Sequence, residues 1–148
     1  MPTKKTTTWV LVADGGRARV LRALGPGKGL DIVSEHQADL RRTSELGTDR
    51  PGRAHESATT ARHAYGQTDF HRDEERAFLK GLVETLDAGR RAGRFDRLVV
   101  VAPPTALGDL RKAIGDPLRA TVAADIDKDL TKVALGDLPS HLSGAVPC

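Results

Sequence analysis

The stretch TWVLVADGGRARVLRAL, Thr8 to Leu24, predicts a β-hairpin near the start of the chain. Its first six residues are apolar and rich in β-branched side chains, which is typical of a buried strand. Asp14-Gly15-Gly16 follows, and the next residues alternate between polar and apolar. An Asp-Gly pair between two such runs is a strong hairpin signal, because Gly tolerates positive φ. A second turn, GPGKG, and the run LDIVSEHQA extend the hairpin into a three-strand antiparallel meander.

The middle of the chain predicts a long loop followed by a helix. Residues 39–67 show no periodicity and form a long basic loop. From Thr68 the spacing becomes helical, with Thr68 or Asp69 as N-cap and Gly93 after the last turn. One face of this helix is predicted to carry Phe70, Ala77, Phe78, Leu82, Val83 and Leu86.

The rest of the chain alternates strands and helices. RLVVVA is a short apolar strand, PPTALGDLRKAIGD is a helix, and PLRATVAADID is a short helix followed by a strand. The order β-β-β-loop-α-β-α-β-α predicts an α/β fold. We expect a single mixed sheet, a meander plus parallel strands, with helices on its faces in a ribonuclease H-like arrangement. Residues 1–148 are predicted to form one domain.

The cysteine content and the apolar runs of the sequence indicate the cellular compartment of the protein. Hydrophobic residues make up 39% of the 148 residues, the formal charge is +3, and Cys148 is the one cysteine. A single cysteine excludes a disulfide within the chain and favours a reducing compartment. The apolar run from Trp9 to Ala13 is too short for a signal peptide, and no run approaches a membrane span. We therefore expect a cytoplasmic protein without membrane contact.

Aspartate and histidine residues are candidate metal ligands in this sequence. Asp14 follows the first strand, and Asp125 and Asp127 close the last one, so a nuclease-type Mg²⁺ site is one alternative. Asp14 before Gly15 is more typical of a turn residue, and we expect the carboxylates to lie apart. The histidines at 55, 63 and 71 match no metal-ligand spacing. The sequence predicts no metal site and no cofactor.

The predicted loop is rich in arginine. Its arginines are interleaved with only three acids, Glu45, Asp49 and Glu56. Arg binds phosphate through its planar fork, so such a loop suits RNA. A solvated loop without a partner is an equally good interpretation. The arginines concerned are Arg41, Arg42, Arg50, Arg53 and Arg62.

Several ordered motifs resemble the host attachment protein family, bacterial proteins described as required for attachment to host cells. They are TWVLVADGGRARVL, GTDRPGR at 47–53, RFDRLVVVAPPTALGDLR at 94–111 and DIDKDLT at 125–131. That family is similar in turn to the middle domain of archaeal and eukaryotic peptide-chain release factors. Those domains carry a Gly-Gly-Gln tripeptide at a loop tip before a helix, where the Gln helps to place water at the peptidyl-tRNA ester. The matching position here reads Tyr65-Gly66-Gln67.

The resemblance implies roles for individual residues. Gly66 and Gln67 are the candidate catalytic residues, while Arg50, Arg53, Arg62, His63 and Tyr65 are candidate RNA contacts. Tyr at a position that requires positive φ is costly, but its ring can stack on a base. The expected function is an RNA- or ribosome-associated module with an altered loop, with tRNA or the ribosome as partner. One alternative is a codon-independent peptidyl-tRNA ester hydrolase, and another is an interaction protein that affects attachment indirectly.

Overall fold

The structure is a computed structural model that describes residues 6–38 and 56–148, with side chains from Phe70 onward in the second range. It contains one five-stranded sheet in the order β3-β2-β1-β4-β5. The β1–β2 and β2–β3 pairs are antiparallel, and the β1–β4 and β4–β5 pairs are parallel. The mixed α/β sheet predicted from the sequence is confirmed. The strands are β1 (Thr8–Ala13), β2 (Arg17–Ala23), β3 (Leu30–Gln37), β4 (Arg97–Ala102) and β5 (Val122–Asp127).

Helices and a C-terminal segment cover the two faces of the sheet. The described helices are α1 (Glu56–Arg91), α2 (Pro104–Ala113), α3 (Asp116–Arg119) and α4 (Leu138–Leu142), and a 3₁₀ turn spans Leu135–Asp137. Because both faces are covered, every residue of β1 is buried. Its apolar run without alternation reflects this two-sided burial.

Alternate residues of the central strands supply two separate cores. The first core lies between the sheet and helices α1 and α2, and it includes Leu11, Val100, Leu86 and Leu110. The second lies between the opposite face of the sheet and the C-terminal segment, and it includes Val10, Val12, Val99, Leu130, Leu138 and Leu142. The period-two geometry of a strand sends neighbouring residues to opposite faces, so one short strand serves both cores.

The predicted hairpin forms, but neither Gly15 nor Gly16 adopts the positive φ on which the prediction was based. The Asp14 carboxylate Oδ1 accepts hydrogen bonds from the backbone N–H groups of Gly16 and Arg17, both at 2.8 Å. The Asp14 N–H donates to the Arg17 carbonyl at 2.9 Å, which closes the two strands. A short acidic side chain at this position therefore satisfies backbone donors that the turn leaves open.

Helix α1 begins earlier than predicted. It starts at Glu56 rather than Thr68, so residues 56–67 belong to a helix and not to the predicted loop. These residues are mostly good or tolerable helix formers without proline, and a single glycine, Gly66, costs about 1 kcal/mol rather than ending a helix. The predicted end is correct: Gly93 adopts φ +72, and its N–H donates to the Arg90 carbonyl.

The buried face of α1 is also shorter than predicted. Leu82, Val83 and Leu86 are buried and Phe78 is partly buried, whereas Phe70 is 42% exposed and Ala77 is exposed. Leu79, which the predicted face omitted, is buried. Contact with the first core thus begins in the second half of the helix.

Candidate functional site

Helix α1 is much longer than the sheet that it covers. Its 36 residues correspond to about 54 Å at 1.5 Å per residue. Strands of six to eight residues measure only about 20–27 Å. One half of the helix must therefore extend past the sheet.

The contacts of α1 show which half extends. Gly89 near its C-terminal end faces Trp9 at the start of β1, since an added Cβ at Gly89 would lie 3.0 Å from the indole ring. Glu75 lies against Gly15, just after the end of β1, where an added Cβ would lie 2.6 Å from the Glu75 carboxylate. The helix therefore passes the C-terminal end of β1 near Glu75. The preceding residues of the helix, 56–74, extend about 28 Å beyond that strand end.

The tripeptide Tyr65-Gly66-Gln67 lies inside this extending half. The prediction that it forms a loop tip before a helix is wrong, because the backbone there is helical. In a helix interior, backbone N–H groups donate to carbonyls four residues earlier and are not free to bind an oxyanion. Helical φ is negative, so Tyr65 carries no conformational penalty at this position.

The other RNA-contact candidates divide between two parts of the chain. Arg62 and His63 lie in α1, within about 8 Å of Gln67 along the helix axis. The helix thus brings Arg62, His63, Tyr65 and Gln67 into one short stretch. Arg41, Arg42, Arg50, Arg53 and His55 lie outside the described residues.

An ion-pair cluster holds α1 where it leaves the sheet. The Arg72 guanidinium donates from Nη1 to Oε1 of Glu75 at 2.9 Å, and its Nη2 lies 3.1 Å from Oδ2 of Asp109 on α2. The hydrogen bond to Glu75 and the charge of Asp109 raise the pKa of Arg72. Asp109 is only 11% exposed, so its pairing with Arg72 matters more than a surface ion pair. The cluster ties α1 to α2 and fixes the direction in which the helix extends.

Sequence reasoning missed this cluster. The spacing of Arg72 and Glu75, three residues apart on a helix, was a visible signal for their pairing. The contact with Asp109 joins residues 37 positions apart and required the tertiary structure.

The alternative metal site formed by Asp14 with Asp125 or Asp127 is wrong. Asp125 accepts two hydrogen bonds from Arg111 of α2, at 3.1 and 2.9 Å, and so faces the first core. Asp14 instead faces Thr131 on the side of the second core, at 3.2 Å from Oδ2. β4 also separates β1 from β5, a spacing of about 10 Å. Within residues 6–38 and 56–148, no group of three or more potential ligands could hold a metal ion.

The segment after β5 approaches the Asp14 turn at Thr131. The buried Thr131 hydroxyl lies 2.6 Å from Oδ1 of Asp129 and 3.2 Å from Asp14. A hydroxyl carries one proton, so it donates to the nearer oxygen, that of Asp129. This hydrogen bond is the largest cause of the lowered pKa of Asp129. Asp14 and Asp129 therefore stabilise the hairpin turn and the segment after β5, respectively, by accepting hydrogen bonds.

The part of the chain that the structure describes contains no helix with the length and apolar character needed to span a bilayer.

Comparison with protein families gives a match to most of the chain. A family model described as "Protein required for attachment to host cells" matches residues 9–142. The matched range runs from β1 to the end of α4 and includes the whole of α1. No curated protein matches the chain.

Proposed function

This chain belongs to the family of proteins required for attachment to host cells, and we propose that it acts there as a cytoplasmic RNA- or ribosome-associated module. The observation that carries the proposal is the extension of α1 past the sheet, with Arg62, His63 and Tyr65 in the extending half. In proteins most of the stability of a helix comes from packing against other elements, and the extending half lies past the sheet, so a binding partner is a reason for that half to be kept.

The charge distribution along this part of the sequence supports an anionic partner. Arginines dominate residues 41–62, while the acids Asp69, Asp73, Glu74 and Glu75 lie near the point where α1 meets the sheet. The basic residues are thus concentrated toward the far end of the helix and before it. Phosphate groups attract such a segment, and Arg is well suited to bind them.

The proposed partner is tRNA or the ribosome. This choice rests on the resemblance of the family to release-factor middle domains and on Tyr65, whose ring can stack on an unpaired base. Stacking of this kind contributes about 1–3 kcal/mol per base where it occurs.

The test compares two triple variants that remove equal charge. Arg50, Arg53 and Arg62 are changed together to Ala, and the control changes the exposed arginines Arg22, Arg91 and Arg94. With single-stranded RNA, three lost phosphate contacts should lower the slope of log K against log salt by about 2. The control should retain the wild-type slope in the same filter-binding titration.

Two results would count against RNA binding through this segment. The first is an equal loss of affinity in both triple variants, which would indicate a general charge effect. The second is wild-type affinity in the Arg50/Arg53/Arg62 variant. Either result would favour an interaction protein that affects attachment indirectly.

The hydrolase alternative requires α1 to open at Gly66 so that Gln67 can reach an ester. In its helical form the stretch offers no free N–H groups to an oxyanion, so we expect no release of labelled amino acid from aminoacyl-tRNA. Tyr65→Gly should not create such release. Release by the wild type that Gln67→Ala abolishes, without change in RNA affinity, would instead establish the hydrolase.

A further inference from the structure

A cavity of about 550 Å³ lies on the face of the second core, beside the β1–β2 turn. Strands β2 and β3 form one wall, and the segment after β5 forms the other. Its size falls within the range of small-molecule sites, about 300–1,000 Å³. The polar side chains that line it include Arg17, Arg19, Glu35, Gln37 and Lys132.

Arg19 is held rigidly in this cavity. Its Nη2 donates to the carbonyls of Leu130, Thr131 and Val133 at 3.0, 3.1 and 2.6 Å. Among residues 6–38 and 56–148, its Nη1 has no hydrogen-bond acceptor, and its buried Nε has none either. Because Nε is buried, Nη1 is the donor left for a ligand, and an ordered guanidinium loses little side-chain entropy when it binds an oxyanion.

Two further cations lie on the walls. Arg17 and Lys132 are exposed, and neither forms an ion pair within 4.0 Å among the described residues. Arg17 lies two residues before Arg19 on β2, so both project from the same face of the sheet, and Lys132 lies on the opposite wall of the cavity. The pKa of Asp129 is lowered first by the hydrogen bond from Thr131 and then by the charges of Lys132 and Arg17. Asp129 offsets part of this charge, yet its Oδ1 is already used by the N–H and hydroxyl of Thr131. The donors of Arg17 and Lys132 remain open to an anion.

The β3 wall offers different chemistry. In the β2–β3 register Glu35 lies opposite Arg19 and contributes an acceptor, and Gln37 lies opposite Arg17 and contributes both a donor and an acceptor. A carboxylate opposite three cations disfavours a bare anion and favours a ligand with hydroxyl groups next to its charge. We propose that this cavity binds a phosphate monoester of a sugar, with the phosphate at Arg17, Arg19 and Lys132 and the hydroxyls toward Glu35 and Gln37.

The test titrates the full chain with ribose 5-phosphate and follows backbone amide shifts by NMR. Arg17→Ala and Lys132→Ala should each weaken binding about tenfold or more, as expected for a charge-assisted hydrogen bond. Arg22→Ala is the matched control, because Arg22 lies on the same strand and pairs with Asp31 outside the cavity. Both test positions are exposed, so the variants should fold.

Ribose and inorganic phosphate test the two halves of the ligand. Ribose should not bind, and inorganic phosphate should bind more weakly than ribose 5-phosphate. The proposal is overturned if millimolar ribose 5-phosphate gives no saturable shifts around the cavity, or if Arg17→Ala and Lys132→Ala bind like the wild type. Equal binding of phosphate and ribose 5-phosphate would overturn the sugar assignment.

The phosphate monoester could belong to a free metabolite or to the 5′ end of an RNA. A short RNA with a 5′-phosphate and the same RNA with a 5′-hydroxyl separate these sources. If the RNA end is the ligand, only the phosphorylated RNA should compete with ribose 5-phosphate, and Arg17→Ala should abolish the preference. If neither RNA competes, the ligand is the free sugar phosphate. RNA binding through α1 is tested with the 5′-hydroxyl RNA, so the two proposals can fail separately.

Discussion

Two glycines of α1 offer a direct test of how this helix packs. Gly81 is exposed, and a Cβ added there would meet no atom within 4 Å. Gly89 is buried, and a Cβ there would lie 3.0 and 3.1 Å from two atoms of the Trp9 ring and 3.4 Å from Phe95. The same Gly→Ala substitution thus meets open space at one position and a packed aromatic pair at the other.

Two opposing effects set the size of the change. Alanine in place of glycine stabilises a helix by about 0.8–1 kcal/mol. At Gly89 the added methyl group must displace Trp9, whose ring stacks on Phe95 with 4.7 Å between centroids, and overpacking of a core costs about 1–3 kcal/mol. We therefore expect Gly81→Ala to raise the free energy of unfolding by up to about 1 kcal/mol. Gly89→Ala should lower it by up to about 2 kcal/mol.

Urea unfolding followed by circular dichroism measures both variants. Gly89→Ala should also be less destabilising in a Trp9→Phe background, because the smaller side chain removes part of the indole that the methyl group would meet. The reasoning is refuted if the two Gly→Ala variants stabilise the protein equally, since the contact with Trp9 would then have no energetic weight.

Two further predictions concern the acidic side chains of Asp109 on α2 and Asp129 after β5. Asp109→Ala leaves Arg72 with one partner fewer, and it should lower the free energy of unfolding by about 1 kcal/mol and speed amide exchange in α1 near Arg72, measured by hydrogen exchange. Wild-type exchange there would contradict a role for the pair in holding α1. Asp129 has a lowered pKa in the folded state, so its ionised form contributes stability above the unfolded-state pKa of about 3.9, and this contribution is lost as the pH falls through the folded-state value. Asp129→Asn should therefore flatten the acid side of the stability–pH curve, and an unchanged acid limb in urea titrations at several pH values would contradict it.

The strand pattern was predictable because its signals are local. The apolar run of β1, the Asp14-Gly15 turn and the alternation of β2 each occupy a few consecutive residues. The apolar run of β4 and the helix before it likewise indicated a parallel crossover, and the observed β1–β4 pairing agrees.

The predicted start of α1 is wrong because two local signals both favoured a loop. Gly66 and the lack of apolar periodicity in residues 56–67 suggested a loop. Apolar periodicity marks a helix only where one of its faces packs on a core, so it does not identify a helix whose backbone continues past the ends of the strands. The exposure of Phe70 agrees with this explanation, since Phe70 precedes the point where α1 meets the sheet.

The sequence by itself determined the fold class, the hairpin and the family resemblance, because each depends on residue types at short and ordered spacings. The tertiary structure alone decided which distant side chains meet. Arg19 donates to Val133 across 114 positions, and Asp14 lies beside Thr131 across 117. These contacts form where the segment after β5 returns over the face of the sheet. The path of that segment is set by burial of Leu130, Leu138 and Leu142 in the second core. Burial is non-directional and sums over many residues, so it leaves no local pattern that would identify the partners in advance.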